Sequence, residues 1–238
     1  MAHFRLIILF LIIISFKNTP LSGQTTVFEK EVTDNLFNKE KGPNLKKFNH
    51  FYMNFGGMAM DNDGARVLYH ASTAFSAGYR HKRKLLRFYS LGFDISIQHY
   101  KYRLKQENEK TFPDPILHDR EKIMVTNSTL ELYHRVTLGK TGNAMGFFID
   151  TGVYGSWNFG RRHWFRNTFE NTDATYEMQI VENRRLKYIN PFVYGAKTRI
   201  GYNKFAVYGS YQLSDITDDG YPLPGLPPLS VGVELSFY

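Results

Sequence analysis

Eight charged residues stand in this sequence where charge is costly. Arg80, Asp94, Glu131, Arg135, Asp150, Lys197, Arg199 and Glu234 each fall within a run that alternates apolar and polar residues. In an extended chain each therefore lies on the polar face, back to back with Phe, Ile, Leu or Val neighbours. Four are acids and four are bases, so the set is close to neutral. The chemistry open to such a set is ion pairing: in a space too narrow for bulk water, carboxylates and guanidinium groups satisfy one another. The expectation is a network that pairs across an interior and fills it; a conducting or substrate-binding lumen is the alternative.

Two other constellations carry chemistry. His70-Ala71-Ser72 sets an imidazole and a hydroxyl on one face of an extended chain, and a base beside a hydroxyl can activate it for acyl transfer. Small outer-membrane barrels that deacylate lipid A use such a pair on their lipid side. In the register derived below both residues point inward, which favours a satisfied polar pair and leaves the enzyme reading second. The segments "RRHWFRNTF" and "ENRRLKY" place Arg161, Arg162, Arg166, Arg184 and Arg185 around Trp164. Guanidinium groups grip phosphate in forked pairs and indoles settle at lipid headgroups, so these residues are candidates for contact with lipopolysaccharide. A solvated cationic loop is the plain alternative. Nucleic acid would use the same residue types, but an exported chain would not meet it. The eight His lack metal-ligand clustering and no glycine-rich turn opens a helix, so neither metal nor cofactor is expected.

Export is read from the start of the chain. "MAHFRLIILFLIIISFKNTPLSG" has a basic lead, an apolar run from Leu6 to Phe16 and small residues before Gln24. The run is too short for the roughly 20 residues of a spanning helix, so residues 1–23 are expected to be a cleaved signal peptide. Cleavage would remove Arg5 and Lys17 but no acid, taking the formal net charge from +8 to +6. That mild excess permits anionic partners without requiring them. With no cysteine, the exported chain has no disulfide and no thiolate site. Residues 24–47 are polar, lack alternation and contain a Gly-Pro break, as expected of a periplasmic lead segment.

The elements that must position the charges are strands. Period-two patterns recur at about residues 51–59, 67–80, 86–101, 123–136, 145–159, 190–202, 205–213 and 229–238. Between them, connections on one side are "DNDGA" and three long segments, at about 103–122, 160–189 and 214–228. On the other side they are the short "HKRK", "TLGKTGNA" and "YNK". An even number of strands of about ten residues, with long connections at one end and short ones at the other, is the pattern of outer-membrane barrels. The expected fold is all-β, an eight-stranded antiparallel up-and-down transmembrane β-barrel over residues 48–238. Aromatic residues at 16% of the chain suit strands and membrane interfaces. A soluble lipocalin-like binding barrel remains an alternative, and it would put the apolar face inside.

The last strand ends on Phe237-Tyr238 with no tail. A terminal aromatic is the expected signal for the outer-membrane assembly machinery; an ordinary edge strand is the alternative. "YGSYQLSDITDDGYPLPGLPPLSVGVELSFY", Tyr208 to Tyr238, resembles the ending of small PorT-like outer-membrane β-barrel proteins: aromatic-x-Leu-Ser-Asp, a variable loop, Leu-Pro-Pro-Leu and a glycine-centred last strand. "NPFVYGAKTRIGY" fits the strand before it. The resemblance covers the last fifty or so residues. It implies an outer-membrane location and a barrel far more firmly than an activity, although some relatives are implicated in protein secretion. The sequence thus points to a non-enzymatic barrel with a plugged lumen. It would act through external loops or envelope partners, secretion proteins among them.

Overall fold

The computed structural model describes residues 43, 45–60, 65–138, 145–170, 176–217 and 225–238. The signal peptide and most of the lead segment expected above lie outside these residues, as do parts of four connections. The described chain forms nine strands: β1 (Lys47–Met58), β2 (Thr73–Lys84), β3 (Tyr89–Arg103), β4 (Arg120–Leu138), β5 (Phe147–Glu170), β6 (Tyr176–Arg184), β7 (Phe192–Tyr202), β8 (Phe205–Gln212) and β9 (Leu229–Phe237). No helix among the described residues is long and apolar enough to cross a membrane.

All nine strands form one antiparallel sheet in the order β4-β3-β2-β1-β9-β8-β7-β5-β6, and β4 also pairs with β5, closing the sheet into a ring. Closure gives every ring strand two hydrogen-bonded neighbours and leaves no free edge around the body. β6 is the exception, since it pairs only with the upper half of β5. The expectation of eight strands is corrected here. The sequence places residues 160–189 in an external connection, with Thr175 to Val181 alternating enough to extend a strand; in the structure β5 continues to Glu170 and β6 (Tyr176–Arg184) folds back along it.

A bulge sets the orientation of the basic residues in the upper half of β5. Thr126 pairs with Gly160 and Asn127 with Asn158, so Phe159 is an extra residue opposite no partner. One unpaired residue reverses the inward and outward alternation beyond it. Below the bulge Val153, Gly155 and Trp157 face outward; above it Arg162, Trp164 and Arg166 do.

The two faces of the ring are chemically opposite. Outside, Phe51, Ile97, Leu132 and Val153 are about 60% exposed, at 64, 60, 59 and 60%, while inside Arg80, Arg135 and Arg199 are exposed by 1% or less. The outward residues are layered by height. Phe51 and Tyr79 pair near the chain termini, and Phe55 and Phe75 near the long connections, with ring centroids 5.2 Å apart in both pairs. Tyr202 pairs with Phe147 at the lower level and Phe192 with Trp157 at the upper. Aliphatic residues lie between these two aromatic levels. The spacing differs between strands. On β7 Phe192 and Tyr202 are ten residues apart, about 33 Å along the strand, or about 23 Å in height at the tilt of roughly 45° usual in closed sheets. On β1 Phe51 and Phe55 are four apart, about 13 Å along the strand.

Inside, the ring is stoppered at both ends by apolar side chains. At the long-connection end Val67, Leu104, Phe112, Ile123, Ile189 and Ile216 belong to one buried cluster. At the terminus end Phe48, Met145, Phe148 and Ala206 form another. Tyrosines fill part of the space between, Tyr52 and Tyr154 among them, each of these two over an inward glycine of a neighbouring strand. A Cβ on Gly78 would lie 2.8 Å from the Tyr52 hydroxyl, and one on Gly195 would lie 2.5 Å from that of Tyr154. Glycine is required there by close approach.

Candidate functional site

The eight charged residues converge inside the ring. Strands β2 and β3 are paired with Arg80 opposite Asp94, β3 and β4 with Asp94 opposite Glu131, and β5 and β7 with Asp150 opposite Arg199. Arg80 donates to Glu234 through Nη1 at 2.5 Å and Nη2 at 2.8 Å, and to Asp94 through Nε at 3.2 Å. Arg135 forks onto Asp150 at 2.6 and 2.7 Å. Arg199 is the hub. Its Nε donates to Asp150 at 3.2 Å, its Nη1 to Glu131 at 3.0 Å and Asp94 at 3.3 Å, and its Nη2 to Glu131. Lys197 Nζ lies 3.7 Å from Glu131. All eight are buried, so water does not screen these pairs and each ion depends on its partners.

Aromatic faces complete the packing around the cations. The guanidinium carbon of Arg80 lies 4.1 Å from the Tyr52 ring centre, and that of Arg135 lies 3.9 Å from Phe148. Beside the network, the gap among Asn54, Gln98, Tyr100 and Lys197 measures about 10 Å³, room for about one water molecule. Such an interior holds strands together.

Near the long connections a second polar cluster joins residues that sequence reasoning did not connect. Glu121, at the top of β4 beyond the upper aromatic level, accepts from Lys110 Nζ at 2.6 Å and Gln106 Nε2 at 2.7 Å, and lies 2.7 Å from His163 Nε2. Burial pushes the Glu121 carboxyl up, but hydrogen bonds from His163, Lys110 and Gln106 outweigh it and bring it below its ordinary value. The cluster ties the 104–119 connection to β5.

The expected His70-Ser72 pair does not form a strand-borne dyad. His70 lies on an exposed 3-10 turn, Tyr69–Ala71, and β2 begins only at Thr73. Ser72 is buried, and its Oγ accepts from the Arg103 backbone N–H at 3.0 Å. The inward placement expected for His70 is therefore corrected: the chain turns before the strand starts.

The six residues proposed for lipopolysaccharide contact fall in three places. Arg162, Trp164, Arg166 and Arg184 share the outer face of β5 and β6. Arg161 turns inward and donates to the Ile189 carbonyl at 2.5 Å. Arg185, just past the end of β6, has a φ of 59° and is exposed. At the chain's end, Phe237 is exposed opposite Phe51, and the Tyr238 hydroxyl donates to Asn203 at 3.0 Å. The Tyr238 ring stands edge-on to Phe48, 5.3 Å between centroids.

Comparison with known proteins adds no family assignment. No protein-family model matches this chain, and no curated protein matches it significantly. The PorT-like resemblance rests on the quoted residues alone.

Proposed function

We propose that the protein is a non-enzymatic outer-membrane β-barrel with a plugged lumen. In this reading the eight ring strands span the membrane, and β6 with the long connections stands on the outer side. The protein acts through that end and its outer wall on envelope partners, secretion proteins among them. One observation carries the reading: the ring is inverted relative to a soluble protein, with Phe, Ile and Leu outward and fully buried Arg, Asp and Glu inward. A lipocalin-like binding barrel calls for the opposite faces. On β7 the outward aromatics support the same reading, since about 23 Å between Phe192 and Tyr202 is close to the roughly 25 Å apolar band of outer-membrane barrels. The stoppered interior supports a structural role for the ions. Buried Ser72, engaged by backbone, lends nothing to the lipid A-modifying alternative.

Two measurements test this. Membranes from cells expressing the full chain are washed with urea, and the protein is expected to stay with the outer-membrane fraction. In planar bilayers the purified protein is expected to give no steady current. Release by urea would overturn the membrane reading, and sustained large-pore conductance would overturn the plugged lumen.

A further inference from the structure

Register assembles on the outer wall a cationic surface that no single segment displays. Lys101 of β3 is level with Met124 of β4, Arg162 of β5 and Arg184 of β6. One step higher, Arg103, Lys122, Trp164 and Glu182 are level; one step higher again are Arg120, Arg166 and Ile180. Three successive rows thus carry seven cations and one acid. Glu182 accepts from Arg184 Nε at 2.8 Å and lies 3.8 Å from Arg162. Lys122 sits over Trp164, 4.4 Å from the ring centre, and Arg166 Nε is buried without a hydrogen-bond partner. Partial burial, then the charges of Lys101 and Arg103, hold the Lys122 ammonium below its ordinary value. Among the described residues, these three rows hold one acid for seven cations.

Directly below, the same strands turn apolar within one row. His99, Thr126 and Gly160 mark the change. Beneath them, outward Gly155 leaves a groove of about 860 Å³ bounded by Ile95, Leu130, Val153, Trp157 and Tyr194. A Cβ at Gly155 would meet nothing within 4 Å, so the groove is open where that side chain is missing. From Met124 to Leu130 is six residues, about 20 Å along the strand and about 15 Å in depth when tilted. That is half a hydrocarbon core of roughly 30 Å.

We infer that this wall binds one phosphorylated glycolipid of the outer leaflet, its phosphates on the β3–β6 cations and an acyl chain in the Gly155 groove. The inference rests on the membrane reading above. Charge complementarity selects phosphate, which guanidinium groups grip in forked pairs. Width selects a headgroup of disaccharide size, since β3 to β6 spans three inter-strand steps, about 14 Å. An acidic protein would satisfy the cations but leave the groove below them unfilled.

The test uses the full chain, purified in mild detergent and examined by native mass spectrometry with added diphosphorylated lipid A. Parallel arms contain its dephosphorylated form, inorganic phosphate or an acidic polypeptide. The wild type is expected to retain one phosphorylated lipid. Combined Lys122→Glu, Arg162→Glu and Arg166→Glu should weaken retention by at least about tenfold, and Gly155→Leu should weaken it while leaving the cations in place. Folding of each variant is checked by compact migration in SDS that is lost on boiling. Equal retention of the dephosphorylated lipid, indifference to charge reversal, or full competition by inorganic phosphate or the polypeptide overturns the inference. Failure of the membrane reading is separately visible: the wild type would then be washed from membranes by urea, and both ideas would fall.

Discussion

Replacing Arg199 by Met isolates the ion network from every other feature of the protein. Arg199 touches Asp94, Glu131 and Asp150 within 3.3 Å and approaches Glu234 at 3.8 Å. Its loss leaves four buried acids facing Arg80, Arg135 and Lys197. Glu131 is affected most, because Lys197 at 3.7 Å is its other cation. Neither water nor a mobile neighbour can take over, since the site is fully buried and Asp94 Oδ1 already lacks a partner. Removing one member of a buried pair costs about 3–5 kcal/mol, a large share of a typical stability of roughly 5–15 kcal/mol. With a slope of about 2 kcal/mol per molar urea, the unfolding midpoint should fall by about 2 M. The assay is urea unfolding in detergent micelles, followed by fluorescence of the two tryptophans, Trp157 and Trp164. The companion Arg199→Met/Glu131→Met restores charge balance and should recover about 2 kcal/mol or more relative to additivity. A single-variant loss below about 1 kcal/mol, or a cycle that closes additively, would refute the claim that these ions hold the ring together.

Three further outcomes follow from the same geometry. Glu121 has a folded-state pKa depressed below its ordinary 4.5, so its contribution is complete above that value and is lost as pH falls through the folded pKa. Hydrogen exchange in the 104–119 connection should therefore speed up in the acid range below 4.5, and Glu121→Gln should flatten that response; acid-insensitive protection in the wild type would count against the cluster. Arginine at Ile95 or Val153, midway between the aromatic levels, should cost about 2–4 kcal/mol in lipid, against about 0–1 kcal/mol at Thr126, and equal costs at the three sites would contradict a lipid-facing wall. Deleting Phe237 and Tyr238 should sharply reduce outer-membrane assembly in cells yet spare refolding in detergent, and normal assembly would remove their role as a signal.

The faces of the ring were legible because alternation on several strands is nearly unbroken. On β3, Leu91, Phe93, Ile95 and Ile97 are outward and Asp94, Ser96 and Gln98 inward, as period two requires. The network residues could be named for the same reason, since each charge sits among apolar neighbours of opposite parity. What could not be read depended on pairing between strands. The upper half of β5 has Arg161 and His163 on one face and Arg162 and Trp164 on the other, so neither face is apolar and no contrast marks a strand. The bulge at Phe159 then reverses parity without any turn residue to announce it. Glu121 and His163 are 42 positions apart, and only the register of β4 on β5 makes them neighbours. The cationic wall has the same origin: Lys101, Arg103, Arg120 and Lys122 look like ordinary strand ends until pairing stacks them beside Arg162 and Arg166. His70 illustrates the opposite error, where an alternating stretch was extended backwards into a 3-10 turn.

The closed ring also limits what can cover its outer surface. Exposed Phe, Ile, Leu and Val residues occur on every ring strand, from Phe51 on β1 through Leu132 on β4 to Val233 on β9. Monomeric soluble proteins rarely expose apolar patches beyond a few hundred Å², and a single protein partner could shield only one side. A second sheet could not be added to the wall by hydrogen bonding, because the ring strands are already paired on both edges. A cover that surrounds the ring on all sides, is apolar over a band of fixed height and yields to charge above it is a property of lipid. On the proposed membrane reading, inverted faces, outward aromatics and a cation field starting one row above the apolar groove would all follow from one solvent boundary. The interior ions belong to the same argument: once the outside must be apolar, the alternate residues of every strand have only each other to satisfy them.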